Sequence, residues 1–176
     1  TDIYTLSLHD ALPISVMLEL IQKELIQQGI NEAFFISINL ESKMNPFVIT
    51  IDGIYEYINK TATESKEKIY LFFDEIQELD GWEAMINAIM IDFDADIYIT
   101  GSNAKLLSGE LATYLAGRYV EVKIYPFSYK EILNFFPQKN KSEVFQLYLI
   151  RGGMPFLYQF PMDDRSAMQY LSDIYD

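Results

Sequence analysis

The run IYLFF at residues 69–73 constrains this chain more than any other feature. Five successive apolar residues leave no polar face, which marks a strand buried on both sides at the centre of a parallel sheet. The run ends on two adjacent carboxylates, Asp74 and Glu75. One acid at a strand end is ordinary. Two in succession repel each other unless a cation or a reacting water lies between them.

The flanking sequence alternates helical and strand patterns. Leu18, Ile21 and Leu25 form a helical stripe with Gly29 as a natural stop, and AFFISINL at 33–40 is a short apolar strand. Ile51, Ile54, Tyr55 and Ile58 make a second stripe. Asp80 and Glu83 have the spacing of a capping box for a third helix, with Trp82, Met85, Ile86 and Ile89 facing inward. DIYIT at 96–100 is the next strand, and YVEVKIY at 119–125 alternates strictly, with Val120, Val122 and Ile124 on one face. This order predicts an α/β fold, a parallel sheet with right-handed crossovers and helices on both faces. After Pro126 the pattern becomes helical only. Ser128 and Glu131 form a capping box, and SEVFQLYLIRGG is a helix stopped by Gly152 and Gly153. A last helix begins in SAMQYLSDIYD and reads as cut at the C-terminus.

Composition excludes several function classes. Half of the 176 residues are apolar and 15% are aromatic, which suits a packed domain. The formal net charge of −13 argues against broad binding to nucleic acid or anionic membrane. No Lys or Arg lies between Lys68 and Lys105, a gap holding Asp74, Glu75, Glu78, Asp80, Glu83, Asp92, Asp94 and Asp96. Most of that run reads as a solvated acidic face. No Cys is present, so thiolate metal sites are excluded and a cytoplasmic location is expected. The single His9 excludes a histidine-based triad in the body of the chain. No apolar run has the length of a membrane span.

TDIYTLSLHDALPIS, residues 1–15, follows no period consistent with what comes after it. It resembles the in-frame translation of a sequencing-library adapter and is set apart on that ground. The alternative is an ordinary N-terminal turn and strand. Residues 1–14 are expected to pack poorly or to serve as a makeshift substitute for a lost first strand.

Ligands of open parallel sheets bind beyond the carboxyl ends of the strands, where Asp74, Glu75 and TGSN at 100–103 all fall. An Asp after an apolar strand can hold magnesium through water, and a neighbouring Glu can polarise the attacking water. The alternative for this acid pair is a cap on the next helix. LFFDEIQELDGWE, YITGSNAKLLSGELATYLAGRYVEVKIYPFSYKEI and YLIRGGMP together resemble a group of prokaryotic AAA-type P-loop ATPases. In that group a C-terminal domain of unknown function, with a nuclease-like role as one candidate, usually follows the ATPase. The resemblance implies a metal-holding Walker B acid at Asp74, a catalytic Glu at Glu75 and a sensor role for Ser102 or Asn103. It also implies that Arg118 reaches toward phosphates, those of a neighbouring subunit in a homo-oligomer; the alternative is a surface salt bridge. ATP and Mg2+ are the implied cofactors.

One part of the family pattern is not found. The Walker A loop, G-x-x-x-x-G-K-[ST], should fall just before Val16, with the first strand of the sheet earlier still. Ser15 fits the last place of that loop, yet no Gly-rich nest and no Lys precede it. The expected architecture is therefore a P-loop NTPase-type sheet without its first strand and Walker A loop. Its divisions are an adapter-like segment at 1–15, an ATPase core at 16–126, and a helical lid at 127–176 that starts a further domain. The expected function is that of a fragment of an ATP-hydrolysing ATPase, inactive by itself, whose parent couples hydrolysis to a conformational switch. A noncatalytic α/β module presenting its helical appendage to a protein partner is the alternative. Nucleic acid would be a partner only through the absent C-terminal domain, and no membrane association is expected.

Overall fold

The computed structural model describes residues 3–8, 14–45, 49–65, 67–101, 118–159 and 163–175. The chain divides into two compact units, residues 1–7 with 13–123 and residues 8–12 with 124–176.

The first unit is built on a sheet of five strands, β1 (Ile3–Leu8), β2 (Phe35–Asn39), β3 (Ile69–Asp74), β4 (Ala95–Gly101) and β5 (Tyr119–Ile124), in the order β2-β3-β4-β1-β5. The pairs β2/β3, β3/β4 and β4/β1 are all parallel. The apolar run of 69–73 thus lies inside the sheet with a neighbour on each side, and all of it but Tyr70 is buried. Its alternate residues serve two layers. Leu71 and Phe73, with Ile36, Ile38, Ile97 and Ile99, face a core completed by α2 (Ile51–Ser65) through Ile54 and Ile58, and by α3 (Trp82–Asp92) through Met85, Ile86 and Ile89. On the other face Phe72 stacks on Tyr98 at 4.9 Å and meets Phe35 at 5.4 Å between ring centres. Helix α1 (Ile14–Gln27) lies along β3 and β4, with Leu18 buried and Gln22 donating to Ser37 Oγ at 3.5 Å. Each fully buried Phe, Leu or Ile contributes about 2 kcal/mol. The sheet is therefore held from both faces, as the sequence predicts.

Local detail departs from expectation at two places and decides between two outcomes at a third. The family's own first strand is expected to be missing, and the N-terminal segment serves as its substitute, the second of the two outcomes expected for it. Residues 3–8, from the segment set apart as foreign, pair in parallel with β4 from Ile3 opposite Ile97 to Ser7 opposite Gly101. Ile3, Tyr4, Thr5 and Leu6 are β-branched, aromatic or bulky and suit a pleated surface, which gives the N-terminal strand its physical reason. The cap of α3 differs from expectation: Gly81, with φ of 77°, stands at the N-cap and makes no side-chain hydrogen bond. A left-handed turn there needs glycine, so Asp80 falls one position too early to cap. On β5, Val120 and Val122 share a face as expected, but that face is exposed and not part of the core.

The second unit contains α4 (Tyr129–Phe135), α5 (Lys141–Arg151), α6 (Phe156–Gln159) and α7 (Asp164–Tyr175), with no strand beyond Ile124 among the described residues. Ser128 and Glu131 form the expected capping box. The Ser128 hydroxyl and backbone amide hold the Glu131 carboxyl below its ordinary range. Gly152 ends α5. At Gly153 a Cβ would lie 2.2 Å from the carbonyl oxygen of Phe127, so the two backbones touch, and Phe127 N donates to Gly153 O at 2.8 Å. Met154, Leu157 and Ala167 form the buried centre of the unit.

Candidate functional site

Asp74 ends β3, and the parallel register sets Asn39 of β2 directly opposite it. The next strand contributes Thr100, which is fully buried. Thr100 donates its hydroxyl to Asp74 Oδ1 at 2.6 Å, and Asn39 donates its side-chain amide to Asp74 Oδ2 at 2.9 Å. Three adjacent strands thus end in one polar row, made on the same face as Phe72 and Tyr98. At 6% exposure, Asp74 needs such partners, since a buried carboxylate without them is costly.

Glu75 follows in the left-handed region, with φ of 55° and ψ of 51°. It is the one residue other than glycine with positive φ among the described residues. This conformation costs about 1–2 kcal/mol for a side-chain-bearing residue. Two contacts hold it there. Its amide donates to Thr100 Oγ1 at 3.3 Å, and its carbonyl accepts from Glu78 N at 3.0 Å as the chain enters a 3-10 turn over Ile76–Glu78. Ile76, wholly buried, anchors that turn. The half-buried Glu75 carboxylate accepts a hydrogen bond from the Gln77 side-chain amide. Bent backbone at a strand end, held by the neighbouring strand, is common where chemistry is positioned.

The acidic run divides on inspection. Asp96 pairs with Lys68 Nζ at 2.7 Å, a bond that raises the Lys68 pKa, and Asp92 accepts from the Tyr55 hydroxyl. Both serve the scaffold.

Of the residues singled out by sequence, the structure brings Asp74 and Glu75 together around Thr100. Ser15 is exposed in the first turn of α1, and Arg118 is exposed immediately before β5. Ser102 and Asn103 lie outside the described residues. Asn39 was not legible as a site residue. Within AFFISINL it reads as one more strand residue, and only the sheet register carries it to Asp74, 35 positions away in sequence.

The donor set fits a hydrated magnesium ion. Asp74 accepts one hydrogen bond on each oxygen, and a carboxylate offers about four lone-pair sites, so acceptor capacity remains for metal-bound water. Among the described residues no three acids or histidines gather as a direct metal cage. The phosphates of a nucleotide do not fit in the same way. Residues 8–15, LHDALPIS, contain neither the glycines that let backbone amides surround a phosphate nor the lysine that contacts it.

A family model described as an AAA domain matches residues 15–133. An uncharacterized protein of Haemophilus influenzae is 40% identical over 166 residues, covering 92% of this chain and 41% of that protein. Another, from Methanocaldococcus jannaschii, is 41% identical over 111 residues, covering 61% of this chain and 24% of that protein. The chain therefore spans less than half the length of either relative. Among solved structures, the Aeropyrum pernix ORC1 protein in complex with DNA matches 81% of this chain and 44% of its own, with a TM-score of 0.50 and 14% identity. At that identity the likeness is one of fold. Among the described residues no helix is long and apolar enough to cross a membrane. By its match over most of its length and by its parallel sheet, the chain belongs to the AAA domain family of P-loop ATPases.

Proposed function

We propose that this chain carries the metal and water half of an ATP-hydrolysing site. Asp74 holds magnesium through its water shell, and Glu75 orients and polarises the attacking water. Ser102 or Asn103 senses the γ-phosphate. Arg118 reaches the phosphates of a second copy in an assembled homo-oligomer. Magnesium bound there would neutralise charge on the phosphoryl group during transfer. The reading is carried by one observation: Asn39, Asp74 and Thr100 meet at the carboxyl ends of three adjacent parallel strands. That is the edge at which open α/β sheets bind ligands.

The chain as it stands is expected to bind Mg–ATP weakly and to show no turnover above background, since residues 8–15 lack the phosphate cradle. The triple substitution Leu8→Gly, Pro13→Gly, Ile14→Lys writes G-x-x-x-x-G-K-S into residues 8–15 and retains Ser15 as its last residue. Nucleotide titration of the two proteins tests the reading. Tight Mg–ATP binding by the unsubstituted chain, or equally weak binding by both, contradicts it.

A second reading has its own supporting observation. Phe135, Phe145 and Leu149 of α4 and α5 are exposed, an apolar display suited to a protein partner. On that reading the α/β unit is a noncatalytic scaffold, and Asp74 serves only to fasten the strand ends.

A further inference from the structure

The strict alternation of β5 serves neither the core nor the site at Asp74. The strand stands last in the sheet order, beside β1, and among the described residues no strand pairs with its outer side. An edge of that kind offers backbone N–H and C=O groups as a template for another strand. Its side chains are open to a neighbour as well. Val120 is 54% and Val122 40% exposed, and the side chains of Lys123 and Glu121 are 58% and 33% exposed. With one acid and one base, the strand is locally neutral in a chain of net charge −13.

Read outward from Val122 in both directions, the strand is its own complement. Two copies set antiparallel, with Val122 opposite Val122, place Glu121 of each opposite Lys123 of the other. Val120 of each then lies opposite Ile124 of the other. Alternation alone would match polarity in several registers, but the opposite signs at 121 and 123 select this one. The nearest registers that keep the same faces together set Glu121 against Glu121 or Lys123 against Lys123, and like charges directly opposite are destabilising. A slip by one residue sets charge against valine. The other end of the sheet has no such symmetry. In β2 a two-fold at Ser37 sets Phe35 against Asn39, and the strand has no charged residue.

We propose that β5 is an edge for self-association, where two copies of this chain pair antiparallel through residues 120–124 about a two-fold axis at Val122. The same patch serves both copies, as a two-fold contact requires. A contact of one strand is smaller than a standard interface, so the dimer forms and dissociates with concentration. The pairing involves no nucleotide or metal, and it stands or falls apart from the reading of Asp74 and Glu75.

Sedimentation velocity of the full chain from about 5 μM to about 500 μM tests it, with a monomer–dimer equilibrium as the expected result. Lys123→Glu and Glu121→Lys each set like charges opposite at two symmetric places, and each should raise the dimer Kd by at least about tenfold. On overall charge alone, Glu121→Lys would favour association of an acidic chain, so weakening by both substitutions reports the register. The two single variants mixed in equal amounts are again complementary and should pair with each other. The double exchange Glu121→Lys/Lys123→Glu should restore self-association to within about threefold of the original chain. A chain that stays monomeric throughout, a dimer indifferent to either single substitution, or a mixture and a double exchange that both stay monomeric would overturn the proposal.

Discussion

Thr100 donates its hydroxyl to Asp74 at 2.6 Å and accepts the Glu75 amide at 3.3 Å, so one buried side chain fastens both acids at the end of β3. Thr100→Val keeps the shape and removes both bonds, leaving a buried carboxylate short of a donor. It should lower unfolding stability by about 1–3 kcal/mol in urea denaturation, whereas Thr100→Ser should lose much less.

The left-handed backbone at Glu75 gives a second expectation, opposite to the usual ordering of residues. At most positions Ala is more stable than Gly, because Gly has more unfolded freedom to lose. With φ at 55°, Glu75→Gly should instead be more stable than Glu75→Ala by about 1 kcal/mol. Equilibrium denaturation of the two variants checks this, and the usual order would show that the strain is absent.

How much of this was legible beforehand depends on range in sequence. The interior strand and its terminal acids were legible, because an apolar run without alternation can only be covered on both faces. The capping box at Ser128 and Glu131 was legible for a similar reason, since its partners lie three residues apart. Asn39 was not, because its role arises from register with a strand more than thirty residues on. Asp80 misled: an acid three residues before Glu83 looks like a cap, but the left-handed turn at Gly81 takes that place. The N-terminal strand was half legible: its mismatch with the following pattern left open whether it would pack poorly or substitute for the first strand, although Ile3, Tyr4 and Thr5 each favour strand.

The second unit depends on a backbone contact at Gly153. A Cβ there would stand 2.2 Å from Phe127 O and 2.7 Å from Phe127 N, atoms that cannot swing aside as a side chain can. Gly153→Ala should therefore cost about 3 kcal/mol or more and expose α4 and α5 to limited proteolysis. Gly29→Ala, where the added Cβ meets nothing within 4 Å, should cost only the strain of its positive φ.

Tyr158 supplies a pH expectation in the same unit. Burial, followed by the nearby Tyr148, raises its pKa to about 12, and its hydroxyl donates to Gly152 O at 2.6 Å. The folded value lies above the ordinary 10.0, so the folded state favours the neutral phenol. That contribution is complete below about pH 10 and is lost as pH rises toward 12. In an ultraviolet titration of the 13 tyrosines, Tyr158→Phe should remove a late-ionising component.

The central claim is that Asp74 and Glu75 form the working half of a phosphoryl-transfer site whose cradle is absent from residues 8–15. ATP turnover by three proteins tests it most directly: the chain itself, its Leu8→Gly/Pro13→Gly/Ile14→Lys form, and that form carrying Glu75→Gln. The account predicts background turnover for the first and measurable turnover for the second. For the third it predicts nucleotide binding retained and turnover reduced by about 100-fold or more, as the water loses its polarising carboxylate. Robust turnover by the unsubstituted chain, or turnover in the loop form indifferent to Glu75→Gln, would contradict it.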